Sequence, residues 1–353
     1  MNAPLAINNQ VSWADLSDPK MRARIDGFVT ENRGSLFHTP SWLEGVERAT
    51  GHKAAGLVSE RLGVINGWLP VTQLRSPLFG KALLSSGFAV GGGVLAPDHG
   101  TLGDLARKLT DYAIANGFES AQLRGGAVPD RWEAVSDKHC GFVRDLADDD
   151  AAQLLAIPRK SRAEVRKGLK ADYDIRIGRS ASDRAAHYAV YAHSVRNLGT
   201  PVFPRRLFDQ MLGAFAHNSD ILTVWKDGEP ISSVLSFYHD GAVLPYWGGG
   251  TFAARAARSN EVMYYELMRH ARRQGMTRFD FGRSKTGSGP YRYKKNWGFE
   301  PQALTYATWT APGAPMRDVD PTSASYARKI AVWKKLPLWL ANRLGPLIAR
   351  DLA

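Results

Sequence analysis

Apolar positions along this chain recur at two spacings. At the three-to-four spacing of an amphipathic helix they mark residues 19–32, 42–50, 102–116, 185–197, 205–217 and 260–274. Thr39-Pro40-Ser41 reads as a helix start, Asn260 as an N-cap, and Gly117 and Gly275 as helix ends. Residues 151–171 form a further helical stretch broken at Pro158. At strand spacing the apolar positions mark 54–60, 64–74, 81–90, 120–124, 141–146, 173–177, 221–225, 231–239, 242–247, 279–282 and 303–310. Asp227-Gly228 and Asp240-Gly241 are signals for tight hairpins inside a meander.

The order repeats. Asp111 to Gly125 aligns with Arg269 to Arg283, each a helix end, a glycine, a strand and a basic-glycine exit. Each copy follows strands that close on a triple glycine, Gly91 to Gly93 and Gly248 to Gly250. The repeat is too long for a solenoid, so it predicts a duplicated α/β (α+β) domain. A meander, one helix and a parallel strand resemble the order of an acetyltransferase-like (GNAT) fold. The expectation is therefore tandem GNAT domains with mixed sheets and a ligand cleft between them. The boundary falls near residues 148–158, giving domains 1–150 and 151–312 and a tail 313–353.

Composition narrows the function. The chain has 353 residues, 44% of them hydrophobic and 23% charged, as in ordinary globular proteins. One cysteine excludes an intrachain disulfide, and nine histidines show no zinc-like spacing, so no metal is expected. No signal-peptide core opens the chain and no apolar run reaches bilayer length, which predicts a cytoplasmic protein. A net charge of +12 favours an anionic partner: nucleic acid, a nucleotide-linked substrate or the inner membrane surface. Gly282-x-x-x-x-Gly287 is followed by Ser288-Gly289 where a phosphate loop needs Lys-Ser/Thr. No dinucleotide fingerprint or Gly-x-Ser-x-Gly elbow is present, and Cys140 has no evident base.

Chemistry concentrates between Phe279 and Pro301. A strand places Phe279 and Phe281 on one face and Asp280 on the other; a loop with Gly282, Gly287, Gly289 and Pro290 follows, then Tyr291-Arg292-Tyr293-Lys294-Lys295-x-Trp297. Five cations (Arg283, Lys285, Arg292, Lys294, Lys295) beside flexible glycines suit either an anion-wrapping loop or a solvated basic turn. The stretch from Arg159 to Lys170 carries six further cations and one anion. Its Arg159, Arg162, Arg166 and Lys170 share a helical face that either meets an anion or is simply solvated. Arg205 and Arg206 follow a shaped Pro-Gly loop at a helix start, where they serve a ligand or an acidic partner. In the tail, residues 311–322 read as a linker. Residues 326–352 are basic and amphipathic, either packing on the core or docking on anionic lipid.

Asp280-Phe281-Gly282, a glycine turn, then Tyr291-Arg292-Tyr293-Lys294-Lys295-x-Trp297-Gly298 resembles the closing motif of the Fem (FemAB) aminoacyltransferases, Asp-Phe-Gly … Tyr-x-Phe-Lys-x-Gly-Phe-Gly. Arg159, Arg162, Arg166, Lys167 and Lys170 are similar to the basic pattern opening that family's second domain, with Gly168 in place of alanine. Within the family the chain looks most similar to the Fem-like proteins associated with exosortase (PEP-CTERM) and exopolysaccharide loci. The resemblance implies an enzyme that moves an acyl group, an amino acid from aminoacyl-tRNA, onto an amine of an envelope or exopolysaccharide precursor. The donor is a co-substrate and no cofactor is implied. An acyl-CoA donor or a non-enzymatic RNA-binding module are the alternatives. The resemblance implies that Lys294 stabilises the developing oxyanion and that Tyr293 orients Lys294 or the substrate. Arg283, Ser284, Lys285 and Arg292, with Arg162, Arg166 and Arg205, hold the substrate. Asp280 is either a general base or the ionic partner of Lys294. Tyr293 and Asn296-Trp297 depart from the family's Phe and Gly-Phe.

Overall fold

The computed structural model describes residues 9–315 and 324–352, without the side chains of 324–329. Residues 316–323, which hold most of the expected linker, lie outside the described residues. The chain divides into two compact units, one of Met1–Ser136, Leu304–Val319 and Asp351–Ala353, the other of Asp137–Ala303 and Asp320–Arg350.

In the first unit a seven-stranded sheet runs in the order Gln10–Trp13, Lys53–Arg61, Val64–Ser76, Gly80–Leu84, Ser120–Arg124, Tyr306–Thr310, Glu133–Val135. Gly80–Leu84 and Ser120–Arg124 are parallel, and the helix His99–Ala115, capped by Asp98 on the Thr101 N–H (2.8 Å), connects them. Strand alternation buries both faces. Leu57 and Leu69 pack with Leu102, Leu105 and Leu109 of that helix, while their neighbours Val58 and Trp68 pack with Ile25, Phe28 and Leu43 of the two N-terminal helices.

The second unit repeats this plan. Its six-stranded sheet runs Val143–Asp145, Arg278–Asp280, Ala242–Gly250, Glu229–His239, Ser219–Lys226, Asp174–Gly178. Both Asp-Gly hairpins form, with positive φ at Asp227 (51°), Gly228 (82°), Asp240 (45°) and Gly241 (71°). The helix Ser259–Arg273 carries the chain over to the parallel strand Arg278–Asp280, and Met263, Leu267 and Met268 pack with Phe279, Phe281 and Val243 beneath it. The fold is thus mixed α/β with two acetyltransferase-like halves.

Three expectations shift. The repeat pattern puts a boundary near residues 148–158, whereas the compact units divide at Ser136/Asp137 and again at Ala303/Leu304. Val143–Asp145 pairs antiparallel with Arg278–Asp280, and Tyr306–Thr310 pairs antiparallel with Ser120–Arg124. Strand periodicity identifies a strand but not its partner, so this exchange is invisible to pattern reading. Asn260 is not an N-cap: a short helix, Phe252–Ala257, runs up to Arg258 in a left-handed turn (φ 62°), and the long helix starts at Ser259. The basic stretch is two helices, Asp150–Ala156 and Arg159–Gly168, so Lys170 lies past the end of the face it was expected to share.

The tail is helical, Ala324–Lys335 and Leu338–Ala349. Arg196 donates from Nε and Nη2 to the carbonyl of Leu336 (3.0 and 2.9 Å). Asp351, in the first unit, is buried; it accepts from the Ser76 hydroxyl (2.6 Å) and lies 3.2 Å from His52 Nε2. Among the described residues no helix is long and apolar enough to cross a membrane.

Candidate active site

The segment after the Asp280-Phe281-Gly282 strand end is ordered more tightly than a glycine loop. Ser284–Lys285 pairs with His139–Gly141, whose other edge takes Gln302–Ala303. Gly282 (φ 67°) and Gly287 (φ 73°) supply the left-handed turns on either side. The basic-aromatic run then forms a helix, Gly289–Asn296: the Ser288 side chain accepts from the Tyr291 N–H (3.3 Å), and Pro290 sits in the first turn.

That helix turns Lys294 inward. The residue is only 8% exposed. Its Nζ donates to the carbonyls of Gly282 (3.2 Å) and Arg283 (3.1 Å) and lies 5.3 and 5.4 Å from the ring centroids of Phe142 and Phe281. Burial lowers its pKa to about 8; Asp280 opposes the shift and Arg283 adds to it. The ammonium is held by carbonyl dipoles and ring faces, and Asp280 acts on it through space. Asp280 Oδ1 accepts from the Gly282 N–H (2.9 Å). Burial raises its pKa, against the pull of that N–H, Lys294 and Arg278.

Tyr293 stacks into a cluster with Tyr264 (6.0 Å), Trp297 (6.0 Å) and Phe281 (6.4 Å). Its hydroxyl is buried with no hydrogen bond formed, the Trp297 side chain being at most a weak donor beside it. Burial, then Glu261 and Tyr264, hold its pKa well above the usual phenol value. The Ser284 hydroxyl is likewise buried without a partner. Each presents an unused hydrogen-bonding group near Lys294: Tyr293 precedes it in sequence, and Ser284 follows Arg283, whose carbonyl holds the Lys294 ammonium.

Sheet pairing ends beside this cluster. Ala242–Gly250 and Arg278–Asp280 pair only at Ala242–Arg278 and Val243–Phe279, although the longer strand runs on to Gly250. Leu235 faces Trp247 and Ser236 faces Pro245, which leaves Tyr246 as a bulge residue. Parallel strands that part beyond two pairs leave backbone groups unclaimed by that ladder, and the first residue past the last pair is Asp280, followed by Phe281, whose ring lies under Lys294.

The remaining expected residues divide. Arg283 and Arg292 are exposed and Lys285 is half-buried, all within the turn and helix that carry Lys294. Arg292 donates to the Gly287 carbonyl (2.7 Å). The basic helix Arg159–Gly168 abuts the end of the Lys294 helix, the Ser161 hydroxyl donating to the Asn296 carbonyl (2.7 Å). On it Arg166 is exposed, while Arg162 donates to the Leu155 carbonyl (3.0 Å). Gly168 packs that helix on Ser259–Arg273: a Cβ there would lie 2.6 Å from Val262 Cγ2. Arg205 is exposed at the start of Arg205–Ala214 and acts on Tyr188; no described contact brings it to Lys294.

Sequence reasoning missed Phe142, Tyr264 and Glu261. Glu261 is half-buried with a raised pKa, chiefly from burial; burial first, with Glu261 adding to it, also raises the phenols of Tyr264 (to about 12) and Tyr293. The three-residue spacing of Glu261 and Tyr264, one turn of the same helix, was the available signal.

Residues 158–295, which carry the basic helix, the splayed strands and Lys294, match a family model described as an acetyltransferase (GNAT) domain. Among solved structures the chain is similar to FemX, at 14% identity over 81% of this chain and 95% of that one, with a TM-score of 0.65. It is similar to a tandem GNAT protein from the clavulanic acid biosynthesis pathway, at 11% identity over 88% and 100%, with a TM-score of 0.58. It is also similar to the C-terminal domain of a putative lysylphosphatidylglycerol synthetase from Agrobacterium fabrum, at 14% identity over 77% and 93%, with a TM-score of 0.53. No curated protein matches the chain in sequence. At these identities the likeness is one of fold: a tandem GNAT architecture.

Proposed function

We propose that this protein is an acyltransferase of Fem type that moves an amino acid from aminoacyl-tRNA onto an amine of a cell-envelope or exopolysaccharide precursor. The observation that carries the reading is the buried ammonium of Lys294, held by the Gly282 and Arg283 carbonyls at the end of the Asp280-Phe281-Gly282 strand. A neutral amine attacks the ester carbonyl, the C–N bond forms, and the carbonyl π electrons move onto oxygen. A cation already fixed in a water-poor site stabilises that oxyanion without reorganising, an effect of about 3–4 kcal/mol per donor. Collapse breaks the bond to the donor's sugar oxygen, and the proton lost by the amine ends on that oxygen.

The raised pKa of Asp280 suits it to carry that proton, with Oδ1 tied to the Gly282 N–H. Tyr293 and Ser284 offer hydroxyls to the substrate. Arg283, Lys285 and Arg292 supply charge for phosphate groups, with Arg162 and Arg166 on the adjoining helix extending it; forked guanidinium groups suit phosphate. The Fem-like resemblance, including its exosortase-associated branch, supports an envelope or exopolysaccharide acceptor and a site of action at the cytoplasmic face of the membrane.

An acyl-CoA donor is the second reading, favoured by the acetyltransferase match over residues 158–295. Against it, the stretch before the long helix, where such enzymes present a glycine turn of free N–H groups, is here the helix Phe252–Ala257, with the Arg258 N–H bonded to the Ala254 carbonyl. The deciding experiment supplies purified protein and an envelope-precursor extract with labelled charged tRNA or labelled acyl-CoA, separately. Label in product from charged tRNA alone supports the Fem-type reading. Label from acyl-CoA alone replaces the donor, and label from neither removes the transferase reading.

A further inference from the structure

The tail helix Leu338–Ala349 has two faces with different fates. Ala341, Gly345 and Ala349, four residues apart, are buried, and Gly345 packs so closely that a Cβ there would lie 2.9 Å from Val202 Cγ1. Small residues on the inner side let the helix lie tight on the second unit, so its docking to the protein is complete. On the opposite side Trp339 is 68% exposed and Leu347 59%, with the exposed Arg343 between them on the same line of the helix. The preceding helix exposes Val332 (64%) together with Lys334 and Lys335.

Charge defines what such a surface meets. Between Asp320 and Asp351 the sequence has six Lys and Arg residues and no Asp or Glu. Such a segment disfavours a second copy of this chain as its occupant, because two stripes of one charge sign repel. A tryptophan and aliphatic side chains on a segment whose only charges are cations match the chemistry of an anionic bilayer surface, where the indole sits at headgroup level and the cations meet phosphates. Leu347 enters the acyl boundary, while Trp339 sits at headgroup level beside Lys334, Lys335 and Arg343.

We propose that the outward face of residues 330–349, centred on Trp339, Arg343 and Leu347, docks this protein peripherally on an anionic lipid bilayer. The contact is interfacial, since neither helix is long enough to span. It is independent of the donor and acceptor of the transfer reaction.

The test is sedimentation of the full-length protein with vesicles of phosphatidylcholine alone and of phosphatidylcholine mixed with phosphatidylglycerol. The expected result is binding to the mixed vesicles only, weakening as salt is raised. The Trp339→Ser/Leu347→Ser variant, altered only at exposed positions, is expected to lose about tenfold or more in partitioning while keeping the wild-type melting temperature. Lys334→Glu/Lys335→Glu is expected to lose binding even at low salt. Equal binding to both vesicle types, no binding, or unchanged partitioning of the Trp339/Leu347 variant overturns the proposal. So does a dimer in sedimentation velocity that the same variant abolishes, since a second copy would then own the surface.

Discussion

The ammonium nitrogen of Lys294 lies 3.1 Å from the carbonyl oxygen of Arg283, eleven residues before it. The chain has doubled back through Gly287 and restarted as a helix at Gly289, capped by Ser288, so the motif folds onto itself. The same loop that carries Arg283 and Lys285 also supplies the carbonyls that hold the central cation. Lys294 is therefore positioned by its own segment, and its placement does not depend on a long-range salt bridge.

Replacing Lys294 with methionine keeps the volume and removes the charge. Transfer is expected to fall by about two to three orders of magnitude, as for loss of one preorganised oxyanion donor. The melting temperature should stay within a few degrees of wild type. Wild-type turnover by this variant rules out the assigned role.

The pKa of Lys294, lowered to about 8 by burial, sets a pH limb. The group is charged below that value and neutral above it, so a rate that needs the ammonium falls as pH rises through about 8. Lys294→Arg, which stays protonated, should abolish the descending limb even if its maximum rate is low. A limb that persists in the arginine variant belongs to another group.

His187 gives a prediction about stability instead. It is fully buried, with Nδ1 3.0 Å from the Ser233 hydroxyl, and burial drives its pKa down to about 3. The unfolded chain binds the proton near pH 6.5 and the folded one does not, so stability is complete above about 6.5 and drains away as pH falls. The loss approaches about 1.4 kcal/mol per pH unit, roughly 2 kcal/mol between pH 7 and 5. Urea midpoints at those two pH values measure it, and His187→Gln should flatten the slope.

Gly168 stands where the resembling family has alanine. A Cβ at this position would meet Val262 Cγ2 at 2.6 Å and the Arg258 carbonyl at 3.1 Å. Gly168→Ala should therefore destabilise the protein by about 1–3 kcal/mol despite alanine's better helix propensity. An unchanged or raised urea midpoint would mean that the two helices separate at no cost.

Much of the fold was legible because periodicity and punctuation agreed. The helix predicted over 102–116 is His99–Ala115, and both Asp-Gly turns form where the dipeptides stand. The duplication was legible because each copy carries the same glycine at the same offset, Gly117 and Gly275, both with positive φ. Gln10–Trp13 was not, since four residues at an edge carry too little pattern. The helix Gly289–Asn296 was hidden by its glycines, although Ser288 and Pro290 are helix-start signals. Of the candidate site, the residues contiguous in sequence were the ones the pattern singled out. Phe142, Glu261 and Tyr264 were not, because nothing local ties them to Lys294.

The exchange of strands between the two halves reaches into biosynthesis. Tyr306–Thr310 is an interior strand of the first unit's sheet, flanked by Ser120–Arg124 on one side and Glu133–Val135 on the other. A ribosome must therefore release residue 310 before the N-terminal half can close its sheet. By then every strand of the second unit's main sheet has already emerged. The half that is made first is completed last, against the usual N-to-C order of domain folding. A fragment ending before residue 306 would leave two strand edges unpaired, and expression of the N-terminal half alone should yield aggregate in place of a smaller folded protein.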